Sequence, residues 1–312
     1  MYAVFRKELT DHLSSKRFAI LFGLVLLSGI FAIYVASQNI RSEVTPLTEL
    51  IFLKLFTTSG SNLPAYPFFV SLFIPLISIA LGFDAVNSEK NSGNLSRLLS
   101  QPIYRDAVIN GKFLSGLAVL TIIIVSMIAF VAGLGLRLIG VPPTSEEILR
   151  LIAFILISVT YGAFWLALSL LFSVYCDRAS TSMLSSLALW IFFFLFTSMI
   201  AGAISTAQIP IDSNSSAEMI TQHYELSGML SRISPSTLYG EATNALLMPE
   251  LGSLNPAIMM ISTYTDGRIF TSLSFSQSLL LIWPQLVSMI SLAVACFAAS
   301  YIKFMRQEIR SM

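Results

Sequence analysis

The sequence predicts an all-α polytopic membrane protein with six transmembrane helices, and two observations support that fold class. Of its 312 residues 55% are hydrophobic and 11% are charged, with a mean hydropathy of +0.78, which exceeds what a water-soluble core requires. Six tracts contain no charged residue, and five of them reach the roughly 20 residues that a spanning helix needs. The predicted spans are 18–37, 64–83, 113–136, 151–174, 183–206 and 278–302.

The leader, residues 2–15, predicts an interfacial helix ahead of the first span. Tyr2, Phe5, Leu9 and Leu13 recur at helical spacing, and the charged residues of the leader occupy the other face. A disordered N-terminus is the alternative, since the apolar stripe is only four residues wide. No small-residue cleavage pattern follows the first apolar tract, which is therefore expected to be a span and not a signal peptide.

The second span is built on a short charge-free tract, 67–83, which contains Pro67 and Pro75, and these prolines predict a kinked helix. The outer loop before it, residues 38–66, has leucines that indicate a short helix on the outer membrane surface. Residues 137–150 and 175–182 are predicted to be simple connections.

The long segment at 207–277 predicts a small extracytoplasmic subdomain between the fifth and sixth spans. Its four prolines divide it into short helices instead of one long one. The tripeptide at 214–216 is an Asn-x-Ser acceptor for glycosylation, and a chance match is the alternative.

The distribution of charge predicts the orientation of the chain. In a six-span arrangement, 12 of the 18 Lys and Arg residues fall on the side of the termini and six fall opposite, whereas seven acidic residues accompany the termini and ten lie opposite. Because positively charged loops remain cytoplasmic, both termini are predicted to be cytoplasmic. The alternative is that the loop charges carry no topological meaning.

No catalytic, cofactor or metal site is predicted. The tripeptide at 111–113 lacks the preceding glycine and the hydroxyl residue of a phosphate-binding loop, so the chain itself is not expected to bind ATP. His12 and His223 fall on opposite sides of the membrane and cannot share a metal, so each is expected to be a polar surface residue. Cys176 and Cys296 belong to the cytoplasmic half, where free thiols are the expectation.

The predicted spans also lack the ionisable residues that proton- or sodium-driven carriers use. Asp84 comes nearest, and its place at the end of the second span marks a water boundary. Energy for any transport must therefore come from another protein. Frequent Ser, Thr and Gly within the spans favour a tightly packed bundle that pairs with a second copy.

A polar segment, residues 84–112, separates the second span from the third and carries an amphipathic helix of its own, which implies a cytoplasmic partner. Gly93 breaks the chain, Asn94 is the expected N-cap, and Pro102 ends the helix. A second helix is expected to begin near Tyr104 and to continue into the third span. Alternatively, the apolar face of the first helix rests on the lipid interface. That face consists of Leu95, Leu98 and Leu99.

Motifs distributed over most of the chain carry a family resemblance. They lie at 5–8, 82–90, 93–95, 98–102, Arg105, 111–112, 234–239, 241–247 and 304–310. Together they resemble the permease subunits of type-2 ABC transporters, particularly the branch of nitrous-oxide-reductase and multicopper-enzyme maturation permeases with its archaeal relatives. Two positions depart from the family pattern: Asn94 stands where Thr is frequent, and Tyr104 where Ser often caps the next helix.

The resemblance implies that residues 94–101 form a coupling helix that docks on an ATPase, and that residues 2–15 form an elbow helix along the membrane. The expected ATPase-coupling residues are Glu89, Gly93, Asn94, Leu95, Arg97, Leu98, Leu99, Gln101, Pro102 and Arg105. The expected elbow residues are Tyr2, Phe5, Leu9 and Leu13.

The function implied by the resemblance is that of a non-catalytic permease subunit, an exporter, in the plasma membrane of a bacterium or archaeon. It would pair with itself and recruit two copies of an ABC ATPase that binds ATP and Mg²⁺, with no nucleic-acid partner. One alternative is mechanotransmission, in which ATPase motion reaches an extracytoplasmic partner through 207–277 without substrate passage. The other is a membrane scaffold that transports nothing.

Overall fold

The structure is a computed structural model that describes residues 1–43, 50–58, 64–93, 104–212, 215–249 and 273–306. Within these ranges the chain forms helices joined by turns and loops, and no strand is present, which confirms the all-α fold class. The helices are α1 (Tyr2–Leu13), α2 (Lys16–Glu43), α3 (Ile51–Thr57), α4 (Tyr66–Gly82), α5 (Asn87–Asn91), α6 (Arg105–Ile139), α7 (Ser145–Tyr175), α8 (Ala179–Ile191), α9 (Thr197–Gln208), α10 (Ala217–Ser231), α11 (Pro235–Leu247) and α12 (Phe275–Arg306), with a π-helical turn (Phe192–Phe196) between α8 and α9.

Five helical stretches are long and apolar enough to cross a bilayer. They are Tyr66–Asn91, Arg105–Leu138, Ser145–Tyr175, Ala179–Gln208 and Phe275–Arg306. α1 and the part of α2 from Phe18 to Tyr34 meet at 61° and together provide a sixth candidate, in which all the charged residues belong to α1. The chain is therefore a multi-pass membrane protein.

α7 occupies the centre of the bundle and packs against α4, α6, α11 and α12. Its aromatic residues Tyr161 and Trp165 are fully buried, because this helix is surrounded by other helices on most of its circumference. Gly162 lets two neighbours approach: a Cβ atom there would clash with Leu120 of α6 and would lie 2.9 Å from Ile74 Cγ2 of α4. The expected use of small residues for close packing is confirmed at this position.

Glu147 joins the start of α7 to α3. With Thr144 it forms a capping box, in which the Thr144 hydroxyl accepts from the Glu147 N–H (3.3 Å) and Glu147 Oε2 accepts from the Thr144 N–H (2.7 Å). Its Oε1 accepts the Phe52 and Leu53 N–H groups of α3 at 2.7 and 3.3 Å. The short helix predicted in the 38–66 loop exists as α3, but its surface location was wrong, because its phenylalanines and leucines are buried in the core.

Arg150 is fully buried one turn further along α7. Its Nη2 lies 2.8 Å from Glu146 Oε1, and its Nη1 donates to the Leu246 carbonyl (3.0 Å) and the Ser278 hydroxyl (3.1 Å). A buried guanidinium needs such partners to offset its lost hydration. The prediction of a simple connection at 137–150 is therefore wrong at its end, where one side chain ties together α7, α11 and α12.

Residues 217–247 form two helices, α10 and α11, joined by a turn at 232–234; we call this helix–turn–helix segment the α10–α11 hairpin, and its two helices pack on different neighbours. α10 packs along α9, and α11 packs between α7 and α12. Leu246 meets Arg150 near the start of α7, whereas Tyr239 stacks on Tyr161 with ring centroids 4.4 Å apart. α11 is thus antiparallel to α7, and at 1.5 Å per residue the stacked pair lies about 16 Å deeper than Arg150.

The tip of this hairpin, residues 232–234, meets the π-helical turn: Ser234 Oγ donates to the Phe193 carbonyl at 2.9 Å. The extracytoplasmic subdomain predicted for 207–277 is therefore wrong for α11, whose apolar residues belong to the main core. The expected division of that segment into short helices is confirmed by α10 and α11. Residues 250–272 lie outside the described residues.

Candidate functional site

Six charged side chains form ion pairs where α1, α5, α6 and the connection after α7 come together. Lys7, Glu8, Glu89 and Lys112 form one group, and Lys90 pairs with Asp177 beside it. We call the two groups together the polar junction. It lies at the end of the bundle that the charge distribution predicts to be cytoplasmic. At its centre the Lys112 side chain is 2% exposed, and an ammonium group so deeply buried requires anionic partners.

Two carboxylates hold the Lys112 ammonium. Its Nζ lies 3.1 Å from Glu8 Oε1 and 2.9 Å from Glu89 Oε1. The more exposed Lys7 Nζ lies 3.4 Å from the same Glu8 oxygen and 3.8 Å from Glu89 Oε1. Burial alone would raise the pKa of Glu8, but Lys112 and Lys7 outweigh it and lower the pKa below its usual value. Glu8 is therefore ionised at neutral pH and completes a balanced group of two cations and two anions.

Gly111 explains how α1 comes close enough to α6 for this contact. A Cβ atom at Gly111 would lie 2.9 Å from Val4 Cγ1 and 3.1 Å from Val4 Cβ, distances that real side chains do not tolerate without displacement. The glycine therefore permits the close approach, and Lys112 at the next position reaches Glu8, one turn beyond Val4.

α5 has a second attachment, to the end of α7. The Ser173 hydroxyl accepts the Val86 and Asn87 N–H groups at 3.0 and 3.3 Å, which satisfies donors at the start of α5. At the other end of α5, Lys90 Nζ lies 2.9 Å from Asp177 Oδ1 and lowers the pKa of that carboxyl. The short helix α5 is thus bound to α1, α6 and α7 together.

The structure places three of the predicted coupling residues. Glu89 lies in the polar junction, Gly93 follows α5 with a φ of 71° that favours glycine, and Arg105 is the first residue of α6. The predicted break at Gly93 and the predicted helix start near Tyr104 are confirmed. The other predicted coupling residues lie outside the described residues: Asn94, Leu95, Arg97, Leu98, Leu99, Gln101 and Pro102.

The predicted leader helix is present as α1, so the disordered alternative does not apply. Tyr2 is 73% exposed and Leu13 39% exposed, whereas Phe5 and Leu9 are half-buried. The face that meets α6 is a different one and includes Glu8. Only Tyr2 and Leu13 of the predicted stripe face outward, since Leu9 packs against the core, and the elbow role stays a prediction.

Sequence reasoning missed Glu8, Lys112 and Asp177 as members of one site. Glu8 and Lys112 are 104 positions apart, and no local periodicity relates them. One signal was present: Lys112 stands directly before an apolar tract, where a charge must find a partner or reach water.

A second polar cluster lies at the tip of the α10–α11 hairpin. Arg232 Nε donates to Glu241 Oε1 and Oε2 at 2.9 and 3.0 Å, and Gln285 Nε2 donates to Oε2 at 2.9 Å. Gln285 belongs to the predicted span 278–302, so a carboxylate stands at the level of that span. The predicted spans themselves contain no carboxylate, but α11 brings Glu241 to this level from a segment that is not itself a span.

The histidines and cysteines form no metal centre in the part of the chain that the structure describes. His223 is buried and not on the surface as predicted, since α10 packs along α9 and His223 Nδ1 lies 2.8 Å from the Ile209 carbonyl oxygen. Cys176 and Cys296 are both free and half-buried.

A family model described as ABC-2 family transporter protein matches residues 2–309. The chain belongs to this family. The resemblance to type-2 ABC permeases that the motifs indicated is thereby confirmed. A relative from Pseudomonas aeruginosa (strain PAO1), named "Probable ABC transporter permease protein NosY", is 29% identical to this ABC-2 family member over 143 residues. That match covers 45% of this chain and 51% of the relative, so the chain spans about half the length of the relative it matches.

Proposed function

We propose that this ABC-2 family member is the non-catalytic permease subunit of an ATP-binding-cassette transporter, driven by a separate ATPase that binds ATP and Mg²⁺. The observation that carries the proposal is the family match over residues 2–309. The proposed assembly has two copies of this chain and two of the ATPase, in the plasma membrane of a bacterium or archaeon. Export is the direction that the resemblance to type-2 permeases implies.

The proposed route of coupling runs through the polar junction. The coupling segment at 94–101 connects the end of α5 to the start of α6, so a push from the ATPase reaches both helices directly. The Glu89–Lys112 ion pair (2.9 Å) joins these helices to each other, and Glu8 joins them to α1. Helices tied in this way move as one rigid body, which suits a switch between inward-facing and outward-facing states.

A second candidate function is mechanotransmission without substrate passage. The observation in its favour is the α10–α11 hairpin, which contacts the π-helical turn at Phe193 and lies against α7 and α12. Movement of those helices would displace the hairpin and, through it, the segment that follows at 250–272, where an extracytoplasmic partner would bind. Substrate flux in vesicles separates the two functions, because only a transporter moves a solute when ATP is hydrolysed.

The first prediction tests the coupling segment. Leu98→Asp or Leu99→Asp is expected to weaken association with the ATPase by about tenfold or more, because burying a leucine is worth roughly 1.5 to 3 kcal/mol and Asp loses that and adds a desolvation cost. The measurement is copurification of the ATPase with the chain, together with stimulation of its ATP hydrolysis.

The matched control is Leu138→Asp, at an exposed leucine at the opposite end of α6. Wild-type copurification and stimulation by the Leu98 and Leu99 variants would mean that the segment rests on lipid. If the chain never associates with an ATPase, the scaffold function would replace the proposed permease function. If the chain hydrolyses ATP alone, it would be an enzyme and not a non-catalytic permease subunit.

A further inference from the structure

A groove of about 780 Å³ runs along α12 beside the tip of the α10–α11 hairpin. It extends from Leu280 to Leu292, about 18 Å at 1.5 Å per residue. Its walls are mostly apolar, and two of their residues, Ile233 and Leu280, are 68% and 77% exposed. The groove is therefore wide enough and long enough to hold an alkyl chain against leucine and isoleucine side chains.

One end of the groove carries an exposed cation, Arg232, whose anionic partner, Glu241, is buried. The Arg232 side chain is 40% exposed, whereas its partner Glu241 is 9% exposed. The two oxygens of Glu241 bind Arg232 Nε, and Nη1 and Nη2 form no hydrogen bond with any described residue. Four N–H donors of the guanidinium are thus without a partner among the described residues, and Arg232 is the one charged residue among those that line the groove.

A buried acceptor lies beside this cation. Gln285 lines the groove and is 4% exposed; its Nε2 donates to Glu241, which fixes the orientation of the amide. Its Oε1 is buried and has no hydrogen-bond partner among the described residues. A buried carbonyl without a donor is unfavourable, so a ligand that supplies a donor here is bound more tightly.

We propose that this groove binds an anionic amphiphile. A phosphate or carboxylate headgroup accepts from Arg232 Nη1 and Nη2, as a planar guanidinium binds oxyanions. A protonated oxygen of a phosphate headgroup donates to Gln285 Oε1, and the alkyl chain lies along the apolar wall of α12. A free anion lacks the alkyl chain and a neutral detergent lacks the negative charge, so each can occupy only one part of the site.

The binding test uses the full chain, purified without an ATPase in dodecyl maltoside. Native mass spectrometry measures binding of dodecyl phosphate, and inorganic phosphate is the competitor without a chain. Saturable binding of dodecyl phosphate is expected to survive a large excess of inorganic phosphate and of the neutral detergent. Equal competition by inorganic phosphate would show a free-anion site, and equal competition by the detergent an unselective apolar surface; either overturns the proposal.

The decisive variant is Arg232→Gln combined with Glu241→Gln, which removes both charges and keeps hydrogen-bonding groups, so that no charge is left buried alone. About tenfold weaker binding of dodecyl phosphate is expected. Arg137→Gln, at an exposed arginine near the end of α6, is the matched control and should bind as the parent does. Parental affinity in a folded double variant would overturn the proposal.

Ser288→Trp gives a second test that leaves the charges untouched, because Ser288 is exposed and lines the middle of the groove. The larger side chain is expected to block the alkyl chain and to lower affinity as strongly as the double variant.

A second copy of the protein chain is the competing occupant of the groove. Complete disulfide cross-linking of Ser288→Cys between copies, in a background lacking Cys176 and Cys296, would show that the groove is an interface and would overturn the proposal. Because no ATPase takes part, failure here leaves the proposed permease function standing.

Discussion

At the scale of single residues, the Lys112 ammonium holds the carboxylates of Glu8 and Glu89 close together. It is buried between Glu8 and Glu89, so removing it leaves two carboxylates close together without their main cation. By contrast, Lys90 and Asp177 form an ion pair of similar length in which the side chains are 33% and 83% exposed. Solvent screens the second pair much more strongly than the first.

The second prediction follows from this contrast. Lys112→Met is expected to destabilise the folded chain by about 3 kcal/mol, because a buried ion pair that loses one partner leaves an uncompensated charge. Lys90→Met is the matched control and should cost less than about 1 kcal/mol, as exposed pairs do. Thermal unfolding in the same detergent compares the two. Equal shifts in Tm would contradict the account of the junction, and adding Glu8→Gln and Glu89→Gln to Lys112→Met should recover part of the loss.

At the scale of helices, close packing around α7 depends on where the small residues lie. Gly162 faces both α4 and α6, whereas a methyl group added at Gly133 of α6 would meet no described atom within 4 Å. The amino-acid composition of the helices does not show which of the two glycines lies at a helix contact. The sequence could predict that small residues favour packing, but which glycine is used depends on how the helices are rotated, and that is set by tertiary contacts.

The third prediction concerns these two positions. Gly162→Ala is expected to destabilise the bundle by about 1 to 3 kcal/mol, because the added methyl group overlaps Leu120 and crowds Ile74. Gly133→Ala should be neutral or stabilise by up to about 1 kcal/mol, since alanine loses less conformational entropy in a helix. Thermal unfolding in one detergent measures both, and a Gly133→Ala loss as large as that of Gly162→Ala would show that packing is not the cause.

The position of α11 in the core is a feature of the helices that the sequence did not predict. The spans were readable because a charge-free run of about 20 residues has one favourable environment. α11 is shorter and contains Glu241, so local pattern assigned it to an outer subdomain. Its burial depends on partners far along the chain, such as Ser158, whose hydroxyl lies 2.8 Å from the Tyr239 hydroxyl. In the same way, the sequence indicated that Glu89 matters but could not pair it with Lys112.

At the scale of the whole molecule, the two ends of the bundle carry different groups. One end holds the polar junction and the start of the coupling segment. The other holds the capping box of α7 and the buried Arg150. The predicted excess of Lys and Arg belongs to the junction end, 12 of 18 in all, and so predicts that this end faces the cytoplasm.

The fourth prediction tests that orientation with two exposed serines, Ser92 after α5 and Ser145 at the start of α7. In a background lacking Cys176 and Cys296, Ser145→Cys is expected to react with an impermeant thiol reagent in intact cells. Ser92→Cys should react only after the membrane is opened, and both should react in detergent. Labelling of Ser92→Cys but not of Ser145→Cys in intact cells would reverse the orientation.

The double role of Glu147 has a consequence for how the chain is made. The α3 backbone donors at Phe52 and Leu53 are satisfied by a carboxylate 95 and 94 positions later. At about 5 to 20 residues per second, the ribosome takes about 5 to 20 s to supply it. During that interval α3 cannot settle in its final place without leaving amide groups unsatisfied in an apolar setting, which costs several kcal/mol per group. The first part of the bundle therefore completes its packing only after α7 has been synthesised. A nascent chain halted before Glu147 would remain in the membrane incompletely folded.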